Sequence, residues 1–330
     1  MLVVQDAFHS SDLPRGGVGA IGNFDGLHRG HRAILERTVA RARELAVSSV
    51  AVTFEPHPRV ILKPEQAPLP LSTPEQKERL LAEAGVAVLL VVRFTPEFSQ
   101  IAARDFVRDF LAGRLALAEI FVGSSFHFGH GRKGNLALLR EMGEGLGFRA
   151  FGVEEVLYKG ERISSSRVRQ ALAEGRVDDA REMLGRPYAI SGKVVRGDRM
   201  GRKLGWPTVN LASDNELLPA DGVYVSRVCF PSYPATFDSV TNIGTRPTVY
   251  ESYQRVVESH ILDFSADVYD ERLELRFLKR LREERAFPSV MDLAAQIGRD
   301  VEVAREYFQR HRPERLEPAA PSEPPAEAAS

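Results

Sequence analysis

The sequence predicts two regions of different fold class: an α/β region with a parallel sheet and flanking helices, then an antiparallel β-barrel with a terminal helix. In the first part of the chain, short apolar runs alternate with segments of helical spacing, which is typical of parallel sheets with crossover helices. After Arg186, short strands follow one another without intervening helices, which is typical of barrels and sandwiches. The length of 330 residues also suggests about two domains.

Five apolar runs in the first region are predicted to be buried strands. Between the first two runs, residues 33–46 place their apolar side chains on one helical face. Thr73 and Pro74 mark the start of another helix, because threonine caps a helix and proline suits its first position. The predicted strands are residues 18–24, 49–54, 86–92, 119–123 and 148–153.

The second region shows regular short strands separated by Gly, Pro and Asp, which predicts antiparallel pairing. A helix over residues 289–309 is expected to follow the last strand. The predicted strands are residues 188–195, 222–230, 234–242, 255–263 and 272–281.

These patterns predict a first domain over residues 1–185, a second over 186–311 and a disordered tail over 312–330. The tail holds five Pro, five Ala and four Glu, with Leu316 as its one large aliphatic residue. Such a segment buries too little apolar surface to offset the entropy of ordering it.

Composition excludes several classes of protein. The formal net charge is −1, which argues against binding to nucleic acid or membrane through bulk charge. The longest apolar run, residues 86–92, is far shorter than the roughly 20 residues that span a bilayer. No secretory signal is visible, and the single cysteine, Cys229, excludes a disulfide framework and indicates the reducing cytoplasm. Nothing in the sequence indicates an oligomeric state.

A glycine pattern, Gly17-x-Gly19-x-x-Gly22, matches the dinucleotide-binding fingerprint by letter. That fingerprint must follow a strand and open a helix, whereas these glycines lie inside the predicted strand. A nicotinamide oxidoreductase is therefore a weak alternative.

The stretch that follows points to phosphate chemistry. His28 and His31 flank Gly30 at the start of the predicted helix. A helix N-terminus binds anions, and two imidazoles three residues apart can donate hydrogen bonds to adjacent phosphate oxygens. The alternatives are two structural histidines or a zinc site, and the second lacks nearby cysteines and the helical i, i+4 spacing.

The spacing His28-x-Gly30-His31 resembles the H-x-G-H nucleotidyltransferase superfamily, which implies a Rossmann-like first domain. A second motif of that superfamily matches residues 163–169, where Ser164 and Arg169 lie in a run of hydroxyl and basic side chains. Alone, that run would be interpreted as a helix cap with exposed arginines.

Four segments of the first region together resemble the FMN adenylyltransferase module of bacterial bifunctional riboflavin kinase/FMN adenylyltransferases, also called FAD synthetases. They are residues 22–31, 54–58, 126–129 and 163–169. The resemblance extends from about residue 15 to about residue 310 and so includes both domains. It implies transfer of AMP from ATP to FMN, giving FAD and pyrophosphate, with Mg²⁺ required.

The resemblance also assigns roles in this first module. His28, His31 and Arg169 would stabilise charge on the phosphates, and Asn23 and Ser164 would orient ATP. Phe126 and Phe128 would contact the isoalloxazine ring of the flavin, although their period-two spacing fits a plain apolar core equally well.

The second domain carries segments similar to the riboflavin kinase of the same family. Gly197, Gly201 and Gly205 would surround the phosphates of ATP, with no Walker sequence present. Thr208 and Asn210 lie in a segment that resembles the family's P-T-A-N motif, and their oxygens suit Mg²⁺. Residues 241–248 and 257–264 match two further family segments.

Glu258 interrupts an apolar alternation in a predicted strand. Strand statistics favour a solvent-facing carboxylate, whereas the resemblance implies the general base that takes the proton of the riboflavin 5′-hydroxyl.

Three positions depart from the family pattern: Val209 in place of alanine, Ser166 in place of threonine, and Ser124-Ser125 where an acidic or amide residue commonly precedes Phe126. The leading hypothesis is a bifunctional enzyme that makes FMN from riboflavin and FAD from FMN. The alternatives are a riboflavin kinase with weak or lost adenylyltransferase activity, and a flavin-binding regulatory protein.

Overall fold

Parallel strands form the main sheet of the N-terminal region in this computed structural model, which describes residues 1–197, 201, 205–247 and 253–311. The strands are β1 (Leu2–Val4), β2 (Val18–Ile21), β3 (Ser49–Glu55), β4 (Val88–Arg93), β5 (Glu119–Gly123), the short β6 (His127–Phe128) and β7 (Gly134–Asn135), and β8 (Arg149–Val153). The order β1-β4-β3-β2-β5-β8 is parallel throughout, and β6 pairs with β7 in a separate antiparallel hairpin. The predicted parallel sheet is confirmed.

Differences from the predicted strands are local. The first strand ends at Ile21 rather than residue 24, because the chain turns at Phe24, which has a positive φ of 47°. Strand β1 was not predicted, because its three residues are exposed or half-buried at the sheet edge and carry no extended apolar run.

Helices and short strands connect and flank the sheet. Helix α1 starts four residues before the predicted residue 33, because the His28 side chain caps it. Helix α3 starts at Pro74 as predicted, with a capping box between Thr73 and Gln76. The elements are α1 (Arg29–Glu44), α2 (Pro58–Leu62), α3 (Pro74–Glu83), α4 (Pro96–Ser99), α5 (Ala103–Asp105) continuing into a π-helix (Phe106–Arg114), α6 (Leu136–Leu146), the hairpin β9 (Leu157–Tyr158) and β10 (Glu161–Arg162), α7 (Ser165–Ala173) and α8 (Val177–Leu184), with 3₁₀ turns at Pro64–Gln66 and His130–Arg132.

A closed antiparallel barrel follows, as predicted. Its strands are β11 (Tyr188–Val195), β12 (Val209–Ser213), β13 (Gly222–Cys229), β14 (Thr236–Pro247), β15 (Tyr253–Ile261) and β16 (Arg272–Arg282), in the closed order β11-β12-β15-β14-β13-β16. Strand β12 was not predicted, and its first residues were expected to belong to a loop. Leu211 is the one fully buried residue of β12, so the strand shows no apolar run.

The apolar core continues from the sheet region into the barrel. Buried side chains of α7 and α8, including Leu172 and Met183, belong to the same cluster as Tyr224 and Phe277 of the barrel. Residues Met1–Arg285 accordingly form one compact unit, and Ala286–Ser330 a second. A domain boundary between residues 185 and 186 stays a prediction.

The second unit contains α9 (Val290–Arg310), which matches the predicted terminal helix within one residue at each end. Ser289 caps it by accepting a hydrogen bond from the Asp292 N–H at 3.1 Å. The predicted disordered tail, residues 312–330, lies outside the described residues.

A buried amide pair joins the sheet region to the barrel. Asn215 Nδ2 donates to Gln76 Oε1 at 2.8 Å, and Gln76 Nε2 donates to Ser191 Oγ at 3.2 Å. Both amides are about 5 % exposed, so neither can exchange these bonds for water.

We expect Gln76→Ala to lower the free energy of unfolding by about 2 kcal/mol, because the Asn215 amide would stay buried without its partner. Urea unfolding followed by circular dichroism measures this loss. Gln5→Ala, which removes an exposed glutamine, should change the free energy by less than about 0.5 kcal/mol. Equal effects of the two substitutions would show that the amide pair contributes nothing.

Candidate active sites

A cleft of about 760 Å³ opens at the carboxyl ends of the parallel strands. Its walls include Ile21, Phe54, Gly123 and Val153, which lie at the ends of β2, β3, β5 and β8. Ligands of open α/β sheets bind at this edge. All seven residues predicted for the first module line this one cleft: Asn23, His28, His31, Phe126, Phe128, Ser164 and Arg169.

His28 and His31 form a stacked pair, with ring centroids 3.6 Å apart and an angle of 15° between the planes. The His31 backbone N–H donates to His28 Nδ1 at 3.2 Å, so a neutral His28 carries its proton on Nε2. Gly30 gives this pair room, since a Cβ there would lie 3.2 Å from the His28 ring. The geometry makes His28 both the cap of α1 and a candidate hydrogen-bond donor.

Both histidines favour the neutral state. Burial, reinforced by the charge of Arg162, lowers the pKa of His28 to about 4. Burial and the adjacent His28 lower the pKa of His31 well below its usual value. Without a bound anion, therefore, the pair offers N–H groups to phosphates rather than full positive charges.

Two of the longer helices, α1 and α7, begin at the cleft. Helix α1 follows His28, and α7 follows Ser164, whose Oγ accepts a hydrogen bond from the Arg167 N–H at 3.3 Å. Ser164 is thus the cap of α7 as well as a lining residue. Helix N-termini present unpaired N–H groups and the positive end of the dipole, so the cleft suits a polyphosphate at two points.

Arg169 is engaged by a carboxylate that the sequence analysis missed. Its guanidinium forms an ion pair with Asp25, and its Nε donates to the Leu69 carbonyl at 2.7 Å. Burial raises the pKa of Asp25, an effect that Arg169 opposes. The sequence clue was the position of Asp25 in the turn directly before His28, although nothing local placed it beside residue 169.

Asn23 lies against His57, which is a further lining residue that the analysis did not assign. Asn23 Nδ2 is 3.3 Å from His57 Nε2. His57 caps α2, because its Nδ1 accepts a hydrogen bond from the Arg59 N–H at 3.2 Å. Burial and the charge of Arg169 lower the pKa of His57 to about 4.

The two phenylalanines lie where either of the alternatives stated for them, flavin contact or apolar core, is possible. Their rings stack at 5.5 Å with 17° between the planes, and both line the cleft. Phe128 also packs against Phe106 at 6.0 Å, within the apolar cluster on that side of the sheet. Nearby, Ser125, one of the departures from the family pattern, accepts a hydrogen bond from Arg162.

The pKa of His28 predicts acid destabilisation. The unfolded chain binds a proton at His28 below pH about 6.5, whereas the folded chain binds it only near pH 4, so stability falls with pH across this window. We expect His28 to account for a loss of about 2 kcal/mol between pH 7 and pH 5 in urea unfolding.

His28→Asn is the matched variant, because asparagine also caps helices but does not titrate. Between pH 7 and pH 5, the free energy of unfolding should fall by about 2 kcal/mol less in this variant than in the wild type. An unchanged pH dependence in this variant would contradict the assignment.

On the barrel, three polar residues lie side by side on adjacent strands. Asn210 of β12 is paired with Glu258 of β15, and Glu258 is paired with Asn242 of β14. Residues directly opposite in antiparallel strands share a face, and the next residues along, such as Val257, are buried in the core. The register therefore places the three side chains on the face away from the core. Asn242 lay within a quoted family segment but was not assigned a role.

The glycines of the second domain allow close backbone approach to this row. A Cβ at Gly197 would lie 2.4 Å from the Asn210 side chain, and one at Gly201 would lie 2.4 Å from the Trp206 carbonyl and 3.2 Å from Thr208 Oγ1. Gly205 has a positive φ of 81°, which favours glycine. The segment between these glycines lies partly outside the described residues.

His260 stabilises the segment that leads to Thr208. Its Nδ1 lies 2.7 Å from the Pro207 carbonyl oxygen, and its ring packs edge-to-face on Trp206 at 5.3 Å. Thr208 lies two residues before Asn210 and directly precedes β12. Glu258, which is about 50 residues away in sequence, thus lies near Thr208 and Asn210 at one face of the barrel.

Family models match both regions. A model described as FAD synthetase covers residues 10–167, and one described as riboflavin kinase covers residues 184–308. In the described residues, no helix is long and apolar enough to cross a membrane.

Similar proteins match over nearly the whole chain. A bifunctional riboflavin kinase/FMN adenylyltransferase of Escherichia coli K12 is 39 % identical over 95 % of this chain and 100 % of its own length. A protein of the same description from Pseudomonas fluorescens is 41 % identical over 88 % of this chain and 93 % of its own.

A solved structure described as a macrolide-efflux protein from Streptococcus pneumoniae has a similar fold. Its TM-score is 0.84 at 29 % identity, with 92 % of this chain and 99 % of that chain covered. The two family models and these relatives cover both the sheet region and the barrel. The chain belongs to the family of bifunctional riboflavin kinase/FMN adenylyltransferases.

Proposed function

We propose that the two reactions take place at two separate sites, with adenylyl transfer to FMN in the cleft of the sheet region and phosphorylation of riboflavin on the barrel face that carries Glu258. The observation that carries this division is that the predicted residues of the first set all line the cleft, whereas those of the second set lie on the barrel. The cleft contains the N-termini of α1 and α7 and no residue of the Asn210–Glu258 row.

In the cleft, a phosphate oxygen of FMN attacks the α-phosphorus of ATP, and the bond to pyrophosphate breaks. Negative charge increases on the phosphate oxygens, so donors that are already in place lower the barrier. His28 Nε2–H, His31 and the first turns of α1 and α7 supply such donors. Arg169, held by Asp25, adds a positive charge, while Asn23 and Ser164 orient ATP.

The flavin would lie at the apolar side of the same cleft. Phe126 and Phe128 offer stacked ring faces there, and Phe54 and Phe98 line the adjoining wall. An isoalloxazine ring gains apolar burial and offset stacking in such surroundings.

On the barrel, Glu258 accepts the proton of the riboflavin 5′-hydroxyl. The hydroxyl oxygen attacks the γ-phosphorus of ATP, and ADP leaves. Phosphoryl transfer depends mainly on positioning and charge stabilisation, for which this rigid row of strands is suited. Gly197, Gly201 and Gly205 leave room for the ATP phosphates beside Asn210 and Thr208.

The donors present fit Mg²⁺. The Thr208 hydroxyl and the Asn210 amide oxygen are hard ligands, and Mg²⁺ is commonly bound by one or two protein oxygens together with phosphates. Among the described residues no group of three or more His, Cys, Asp or Glu could hold a metal, so a site shared with ATP suits this chain better than an all-protein one. When bound, Mg²⁺ would neutralise phosphate charge.

Incubation with riboflavin and Mg-ATP, followed by chromatographic separation of the flavins, tests the function. FMN should form first and FAD after it, and removal of Mg²⁺ with EDTA should stop both steps. FMN without FAD would support the alternative of a kinase with lost adenylyltransferase activity. Absence of FMN would overturn the proposal.

We also infer that the protein works in the cytoplasm on small molecules, with no nucleic-acid or membrane partner. The near-zero net charge and the single cysteine support this inference. Fractionation of cells, with the protein detected in the membrane or nucleic-acid fraction, would contradict it.

A further inference from the structure

A second cavity, of about 300 Å³, lies between the sheet region and the barrel, within the compact unit Met1–Arg285. It shares no lining residue with the cleft described above, although Gly26 in its wall directly follows Asp25 of the cleft. We call it the arginine pocket, because its charged lining consists of Arg32, Arg79, Arg186, Arg276, Glu83 and Glu274.

The positive charges in the arginine pocket exceed the carboxylates. Glu274 is shared by two guanidinium groups, those of Arg79 and Arg276. Glu83 lies 3.8 Å from Arg79, at the edge of ion-pair distance. Both carboxylates of the lining are therefore already engaged by Arg79 and Arg276.

The other two arginines have no such partner. Arg186 donates to the carbonyl oxygens of Gly26 at 2.8 Å and Leu27 at 3.1 Å, and within the described part of the chain no carboxylate lies in hydrogen-bonding distance of it. Nε of Arg32 is buried and has no hydrogen-bond partner among the described residues. Burial, with the nearby Arg32 charge, lowers the pKa of Arg186 to about 10, which agrees with an unbalanced positive charge.

We propose that the arginine pocket binds a phosphate oxyanion, either free phosphate or the phosphate group of a nucleotide. Planar guanidinium groups match phosphate geometry and bind it through paired hydrogen bonds. The volume suffices for a group of this size. An oxyanion would supply the acceptor that Arg32 Nε lacks and a negative charge beside Arg186.

Binding there would be linked to the adenylyl-transfer site. Arg32 directly follows His31 on α1, and Arg186 holds the two carbonyls that precede His28. An anion that attracts the guanidinium of Arg32 or Arg186 would shift that side chain. The shift would change the contacts of the turn before His28, and with them the position of the His28–His31 pair. This second step rests on the proposed role of His28 and His31, whereas anion binding itself does not.

Calorimetric titration with inorganic phosphate, at constant ionic strength and with FAD filling the cleft, tests the pocket. Arg32→Gln should weaken binding about tenfold, and Glu83→Gln should strengthen it several-fold, because the two changes alter the pocket charge in opposite directions. Arg37→Gln, an exposed arginine on the same helix, is the matched control and should leave binding unchanged.

A parallel titration with AMP separates the two sources of phosphate. Tighter binding of AMP with the same dependence on Arg32 and Glu83 supports a nucleotide, and binding of inorganic phosphate alone supports the free ion. Equal affinities of Arg32→Gln and Arg37→Gln, or no binding by the wild type, would overturn the pocket. Because calorimetry does not depend on turnover, these results stay interpretable even if the protein makes no FAD.

The rate of FAD formation from added FMN, measured with and without phosphate, tests the link to the cleft. Phosphate should change this rate in the wild type and in Arg37→Gln but not in Arg32→Gln. Binding without any change of rate would contradict the link while leaving the pocket in place.

Discussion

Glu258→Gln is expected to reduce FMN formation from riboflavin by about 10²- to 10⁴-fold, the range for loss of a positioned general base. Glutamine keeps the size and hydrogen-bonding capacity of the side chain but cannot accept the hydroxyl proton. Conversion of added FMN to FAD should continue at the wild-type rate, because the cleft contains no residue of β15. Chromatography of flavins after incubation with riboflavin or with FMN measures both rates.

Two further measurements distinguish the loss of the general base from a disruption of the barrel structure. Trp206, the single tryptophan, lies beside Thr208 and packs on His260, so its fluorescence should respond to Mg-ADP equally in the variant and the wild type. Glu216→Gln, which changes an exposed carboxylate of the same barrel, should leave FMN formation unchanged. Unimpaired FMN formation by Glu258→Gln would contradict the role of Glu258 as base.

The double substitution His28→Asn with His31→Ala is expected to have the opposite result, with FMN accumulating and FAD formation lost. Each preorganised donor to a transition-state oxyanion contributes about 10²- to 10³-fold to the rate. Asparagine at position 28 keeps a capping side chain for α1, so the loss should reflect the missing imidazoles rather than a frayed helix. Separate assays of the riboflavin-to-FMN and FMN-to-FAD steps give the two rates.

His9→Ala is the matched control, since His9 is an exposed histidine paired with Asp6 and does not line the cleft. It should leave both steps unchanged. If the double variant lost FMN formation as well, the two sites would not act separately, and the division proposed between cleft and barrel would be wrong.

Much of the fold was predictable because its determinants are local. Apolar runs marked β2 to β5 and β8, and the pair Thr73-Pro74 marked the start of α3. The strands of the main sheet and of the barrel that were missed, β1 and β12, are short and mostly not fully buried, so they lack the periodicity on which prediction depends. Boundaries shifted where a side chain such as His28 caps a helix earlier than the apolar pattern begins.

Some candidate site residues could likewise be identified from local sequence, whereas others could not. Those inside a continuous motif, such as His28 and His31, were identified from their order in the chain. Asp25, His57 and Asn242 were not assigned, because their importance comes from neighbours that are distant in sequence: Arg169, Asn23 and Glu258. Such pairings depend on strand register and loop packing, which no local pattern encodes.

The two-region architecture and the family could be predicted because the spacing of apolar residues and the order of motif residues are properties of the chain alone. Folding sets which groups meet and which charge state they favour. Burial keeps the stacked His28–His31 pair neutral, register brings Asn242 beside Glu258, and folding places Arg32 near Arg186. The physical reason is that desolvation and charge–charge interactions depend on distance in space, which only the folded chain defines.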